Sequence, residues 1–297
     1  FRRVLFRSDD YRVLLHHLIQ TDHIQLTEKG GLIVGLAGER VINSFKFYGV
    51  FQESEEYTVR SESQELGTVV APPPPGEKIA LAGHVWRVLE VDRKRHLIYC
   101  EMVKGKVPAY FGECPGDLHT KVLKRMRQVL REDTLYPYLM KNAVSRLTQA
   151  RCTATQSGAA DENLIFLGGK MWCFIPWLGT YGFLAMERFL RLKCGDKLGL
   201  KNLDPFRPFF MQFTMEADAP TFYAVLREEG EKLNNPMDLV YPNEVPLFDK
   251  YDEYLPEELV KKGFAYGVLR MDEVKDFCRS LSAEKARPAE LVDGAPS

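Results

Sequence analysis

The run MWCFIPWLGTYGFLAMERFLR, Met171 to Arg191, constrains the fold more than any other stretch. Met171 to Trp177 is aromatic and apolar in the manner of a strand, and NLIFLGG before it is a second strand-like run ending at Gly168-Gly169. Two such runs joined by a glycine pair predict an antiparallel hairpin. Trp177-Leu178-Gly179-Thr180 then reads as an architectural corner: the strand ends, Gly179 permits a tight turn, and Thr180 caps a helix bearing Phe183, Leu184, Met186 and Leu190. Trp172 and Trp177 are read as core, packed on that helix, rather than as base-stacking rings.

At 297 residues the chain can hold one large or two modest domains. No apolar run approaches the roughly 20 residues that cross a bilayer, so no membrane association is expected. Six cysteines (Cys100, Cys114, Cys152, Cys173, Cys194, Cys278) lie scattered, without a CxxC or a His–Cys cluster. Free thiols of a cytoplasmic protein fit that pattern better than a zinc site or a disulfide scaffold. His16-His17 has no carboxylate at metal spacing and reads as a solvated or interface pair. Phe1 to Ser8 (FRRVLFRS) reads as a non-native leader.

The expected fold class is α+β. After the leader (1–8), residues 9–44 read as the C-terminal part of a winged helix: helix Asp9–Gln20, then strands Ile24–Leu26 and Gly31–Leu36 about the turn Glu28-Lys29-Gly30. Residues 45–115 form a β-rich part. There EYTVR, ELGTVV, EKIALAG, HVWRVLEV and HLIYCEMV alternate with turn chemistry, which predicts a small curled antiparallel sheet or partial barrel. Ala71 to Gly76 (APPPPG) is a stiff polyproline spacer. Residues 116–283 read as a mixed helical and antiparallel-strand part. It has a helical block over 117–150, a strand near Phe209–Met215 and helices over Pro220–Leu233, from Pro256 and from Met271. Residues 284–297 form a tail.

Charge is distributed unevenly. From Asp117 to Arg151 eight Lys/Arg face three acids, leaving +5; from Phe213 to Glu258 twelve acids face three bases, leaving −9. Leu118–Arg131 (LHTKVLKRMRQVLR) is two-faced, with Val122, Leu123, Met126, Val129 and Leu130 on one side. Lys121, Lys124, Arg125, Arg127 and Arg131 lie on the other. Five cations without interleaved acids forgo the i,i+4 pairing of an ordinary surface helix and suit a phosphate backbone. A second basic feature is the hairpin tip Arg93-Lys94-Arg95, with Trp86, Tyr99, Tyr110 and Phe111 nearby. Cations beside rings suit single strands. Alternation puts Trp86 and Val88 on one strand face and Val85, Leu89 and Val91 on the other, and leaves open which is core.

No GxxxxGK(S/T), GxSxG or HExxH occurs, and no Asp-Glu pair follows an apolar strand as a magnesium-holding acid would. No catalytic residue and no metal ligand is assigned.

The stretches GLIVGLAGERVINSFKFYGVF, LAGHVWRVLEVD, VPAYFGE, PWLGT and FDKYDEYLPEELVKKGFAYGVLRMDEV occur in that order. Together they resemble the region after the two motor domains in Lhr-type (large helicase-related) superfamily 2 DEAD/DEAH-box DNA helicases, over roughly Asp9 to Leu281. The resemblance implies the end of a winged helix followed by that family's fourth domain. It also implies a role in guiding single-stranded DNA or a DNA/RNA hybrid during 3′-to-5′ unwinding, as in DNA repair. ATP and Mg²⁺ would belong to upstream RecA-like motor domains, whose motifs have no counterpart here, so this chain alone is expected to be inactive as an ATPase. The alternative is a protein-interaction module that docks a basic partner on the acidic segment, without nucleic acid.

Overall fold

A computed structural model describes residues 8–49, 56–62, 64–69, 76, 78–92, 95–104 and 117–284. The chain is α+β and divides into two units, Phe1–Glu39 with Asp117–Ser297, and Arg40–Gly116. None of its described helices is long and apolar enough to cross a membrane.

The first unit opens with the helix and hairpin the sequence predicts. α1 (Ser8–Gln20) leads to β1 (Ile24–Leu26) and β2 (Leu32–Val34), paired antiparallel with Leu26 opposite Leu32. Thr27 holds the turn: its backbone N–H donates to Gly31 O at 2.8 Å and its hydroxyl accepts from Gly31 N at 2.9 Å. α2 (Leu36–Ile42) follows directly and runs into the second unit, to which the single turn α3 (Phe45–Tyr48) belongs. α1 buries no residue, and Leu26, Leu32, Ile33 and Val34 are exposed.

The second unit is a five-stranded curled sheet. β3 (Tyr57–Ser61), β4 (Gln64–Val69), β5 (Lys78–Leu81), β6 (His84–Asp92) and β7 (Leu97–Met102) are ordered β4-β3-β7-β6-β5. The sheet is mixed, not purely antiparallel as expected, because β3 and β7 run parallel, Thr58 against Leu97 and Arg60 against Tyr99. The chain leaves β4 at one edge and re-enters as β5 at the other, so the returning meander meets β3 in its own direction. Both edges curl toward each other: a Cβ added to Gly67 on β4 would lie 3.7 Å from Leu81 on β5. Tyr57, Val59, Ile79, Trp86, Val88, Ile98 and Cys100 fill the concave side. Alternation turns Leu89 outward, and an irregularity in the β6–β7 register between Val88 and Glu90 leaves Glu90 outward as well and brings Val91 back against the core.

The rest of the first unit carries most of the core. α4 (Thr120–Arg131) and α5 (Lys141–Gln156) precede the hairpin β8 (Leu164–Gly168) and β9 (Met171–Phe174). Gly168 and Gly169, at φ 110° and 62°, make the turn that the glycine pair predicts. α6 (Thr180–Phe189) continues through a π-helical turn, Leu190–Cys194, into α7 (Gly195–Leu198). β10 (Lys201–Phe206) and β11 (Phe210–Thr214) complete the antiparallel sheet β10-β11-β9-β8, followed by α8 (Ala219–Lys232), α9 (Glu257–Gly263) and α10 (Met271–Glu284). Asp218 caps α8, accepting from Thr221 N at 2.9 Å. Phe174, Phe183, Phe189, Phe213 and Phe222 are fully buried, each contributing roughly 2–3 kcal/mol of transfer free energy.

The corner before α6 differs in detail from expectation. Trp177 is buried, as read, and it is Trp177 that takes the left-handed backbone, φ 55°. Gly179 has an ordinary extended backbone, φ −68°, and is the N-cap itself. Thr180 is the first helical residue; its hydroxyl accepts from Leu118 N at 3.0 Å instead of capping its own helix. Glycine is required at 179 by proximity, since a Cβ there would lie 2.1 Å from Leu118 O and 2.6 Å from Thr120 N.

Candidate nucleic-acid interface

That corner fixes how α4 is rotated. Gly179 N donates to Thr120 Oγ1 at 2.8 Å, Thr120 donates to Glu273 Oε2 at 2.5 Å, and Thr180 N donates to Leu118 O at 2.9 Å. The start of α4 is therefore bolted to the starts of α6 and α10. At 100° per residue, Thr120, Leu123, Arg127 and Arg131 then share the inward side. Thr120 and Leu123 are buried. Arg127 donates to Ala160 O at 2.9 Å and Asp161 O at 2.7 Å and lies over the Trp177 ring at 5.8 Å. Arg131 donates to Ala160 O at 2.7 Å and pairs with the Asp161 carboxylate at 3.1 Å.

This departs in part from the expected orientation, although Leu123 is buried and Lys121, Lys124 and Arg125 are exposed as read. Val122 and Met126, read as core-facing, are exposed, while Arg127 and Arg131, read as phosphate contacts, tie α4 to the turn before β8. Two arginines satisfied by fixed carbonyls outweigh the apolar stripe in setting the helix phase, because an unsatisfied carbonyl at a buried turn is costly.

Arg125 faces outward but is also engaged. It donates to Glu132 at 2.9 Å and to the Tyr136 hydroxyl at 2.9 Å, with its guanidinium 5.8 Å from the Tyr136 ring centre. Tyr136 in turn donates to Glu132. The Tyr136 hydroxyl, and next the Arg125 guanidinium, hold the Glu132 carboxyl below the usual carboxylate range; Glu132 pushes the Tyr136 phenol up. Stacked on Tyr136, at 5.4 Å between centroids and 18° between planes, is Tyr138, 77% exposed. Lys121 and Lys124 on α4, and Lys141 and Arg146 on α5, are exposed and make no ion pair among the described residues. Exposed rings and unneutralised cations are the two ingredients of non-specific single-strand surfaces in general.

Tyr136 and Tyr138 were not singled out from the sequence. Their signal is TLYPYL, two tyrosines about a proline immediately after the basic helix.

The other basic feature belongs to the second unit. Trp86 is 4% exposed and its indole N–H donates to Leu81 O at 2.9 Å, so this ring is a core residue and no base can stack on it. Arg95 is exposed and pairs with Asp92 at 3.9 Å. Arg93, Lys94, Tyr110 and Phe111, like the polyproline run, lie outside the described residues.

Six of the acidic segment's twelve acids pair with cations, most of them outside the segment. Glu216 pairs with Lys170, Glu228 and Glu229 with Lys197 and Lys232, Asp238 with Lys193, Glu244 with Arg188, and Glu257 with Lys261. Among the described residues no group of three or more His, Cys, Asp or Glu side chains could hold a metal ion. Comparison with known protein families, curated proteins and solved structures finds no match for this chain.

Proposed function

We propose that this chain is a non-motor part of an ATP-dependent DNA helicase of the Lhr type, and that it holds a single strand of DNA, or the strand of a DNA/RNA hybrid, at the α4–α5 corner. The observations that carry this reading are the exposed Tyr138 ring, stacked on Tyr136, and the exposed cations Lys121 and Lys124 of α4 and Lys141 and Arg146 of α5, which make no ion pair among the described residues. In this mode the lysines track phosphates while one base lies on the outer face of Tyr138, without sequence preference because every base has a π-face. Arg125, Glu132 and Tyr136 form the support that fixes the inner ring and so presents the outer one.

The helix and hairpin at 8–34 and the curled sheet agree with the succession of parts that such a helicase has after its motors. ATP and Mg²⁺ would be handled by RecA-like motor domains, and this chain alone would hydrolyse no ATP. The alternative, docking through the acidic segment, loses support because six of its acids are already paired with cations of this chain.

Tyr138→Ala is the test. Stacking on one aromatic ring is worth about 1–3 kcal/mol per base, so affinity for a labelled oligonucleotide should fall roughly 5- to 150-fold. Thermal stability should stay unchanged, because the ring is 77% exposed. Undiminished affinity in this variant would contradict the assignment.

A further inference from the structure

The phase of α4 leaves exposed apolar side chains, Val122 and Met126, that strand binding does not use, beside Lys121, which it does. Lys121, Val122, Arg125, Met126, Val129 and Leu130 line an open groove of about 490 Å³. Val122 and Met126 are 47% and 41% exposed. Among the described residues no carboxylate lines the groove, and its walls carry Lys121 and Arg125 one turn apart. α5 braces only the far end of the stripe, where Arg151 donates to Val129 O at 2.8 Å.

We infer that this groove is a docking site for an acidic amphipathic helix of a partner protein. The lining residues recur at i, i+4, i+7 and i+8, so the groove runs for two turns of α4, about 12 Å at 1.5 Å per residue. That length accepts apolar anchors spaced i, i+4 and i+7 on a facing helix. Met126, unbranched and polarizable, adapts its shape to the anchor that enters. The charge of the walls selects the partner. Carboxylates flanking the anchors would meet Lys121, which has no ion pair among the described residues, and Arg125, whose own carboxylate Glu132 lies outside the groove lining. Like charges would be repelled there, which gives discrimination as well as attraction. A nucleic acid suits the groove poorly, because its floor is hydrocarbon and offers no hydrogen-bond donor to phosphate.

The experiment uses the full chain and two fluorescent helical peptides of about 16 residues with the same leucine anchors, one flanked by glutamates and one by lysines. The glutamate peptide should bind at least about tenfold more tightly, a difference near 1.4 kcal/mol. The double variant Val122→Asn, Met126→Gln, which adds no charge, should weaken its binding at least about tenfold while melting temperature and oligonucleotide affinity stay as in the wild type. Retained oligonucleotide binding separates failure of this inference from failure of the strand-binding reading. Equal binding of both peptides, or binding of neither, would overturn the inference. So would self-association of the chain that the double variant abolishes, which would make a second copy the occupant.

Discussion

Replacing Gly179 by alanine should destabilise the first unit by at least about 3 kcal/mol, more than most substitutions at a surface-near turn. The backbone at 179 is one any residue adopts, so the cost is steric. The added methyl would lie 2.1 Å from Leu118 O and 2.6 Å from Thr120 N, both main-chain atoms that no side-chain rotation can move. Relief requires α4 to shift. A shift breaks the hydrogen bonds Gly179 N to Thr120 Oγ1, Thr180 N to Leu118 O and Thr120 Oγ1 to Glu273 at one stroke. Buried partners left unmade add about 1–3 kcal/mol. Chemical denaturation of Gly179→Ala beside wild type reads the loss. A lowered midpoint accompanied by weaker oligonucleotide binding is expected, since the same bolt sets the phase of α4. A midpoint unchanged from wild type would show that the α4–α6 contact is looser than these distances.

Glu244→Gln should cost about 3 kcal/mol, the lower end of what removing one partner of a buried pair costs. Arg188 is 8% exposed in its side chain and receives both Glu244 oxygens at 2.6 Å each. Its guanidinium lies 4.8 Å from the Tyr241 ring centre and 4.9 Å from that of Phe264. With a neutral amide at 244 this cation stays buried without a counter-charge. Glu244 retains 28% exposure, which moderates the loss. The pair also sets a pH dependence. Arg188, as the main cause, holds the Glu244 carboxyl below the usual carboxylate range. A group depressed on folding stabilises above its unfolded pKa, about 4.3 for glutamate, and its contribution is lost as pH falls through the folded value. The gap in melting temperature between wild type and Glu244→Gln should therefore be full at neutral pH and close below about pH 4. A gap that is constant with pH would mean that the charge is not what stabilises the contact.

What was legible in the sequence was whatever local chemistry decides. Gly168-Gly169 forced a turn, Asp218 with Pro220 opened α8, and the alternation in 57–102 gave strands that curl. Strand order was not legible, because a period of two is the same whether β7 meets β3 parallel or antiparallel. β10 escaped notice because Pro205 interrupts its pattern, which an edge strand tolerates. The candidate site was found on the right helix and partly on the wrong side of it. Lys121 and Lys124 do face solvent, but the inward turn of Arg127 and Arg131 depends on carbonyls of Ala160 and Asp161, 29 to 34 positions along the chain. No periodicity analysis of α4 alone contains those partners. The choice of ring failed for the same kind of reason. Alternation left the side of Trp86 open, and Leu81 O claims its N–H inside the sheet, whereas Tyr138 is held out by a stack on Tyr136.

The central claim is that unneutralised cations around Tyr138 receive a phosphate backbone. The most direct measurement is the affinity of the chain for a single-stranded oligonucleotide across a series of salt concentrations. With Lys121, Lys124, Lys141 and Arg146 as contacts, log affinity against log salt should be linear with a slope of about −3, at roughly −0.7 for each phosphate neutralised on a single strand. Lys121→Ala with Lys124→Ala should bring that slope to about −1.4. Affinity that ignores salt, or no binding at low salt, would contradict it.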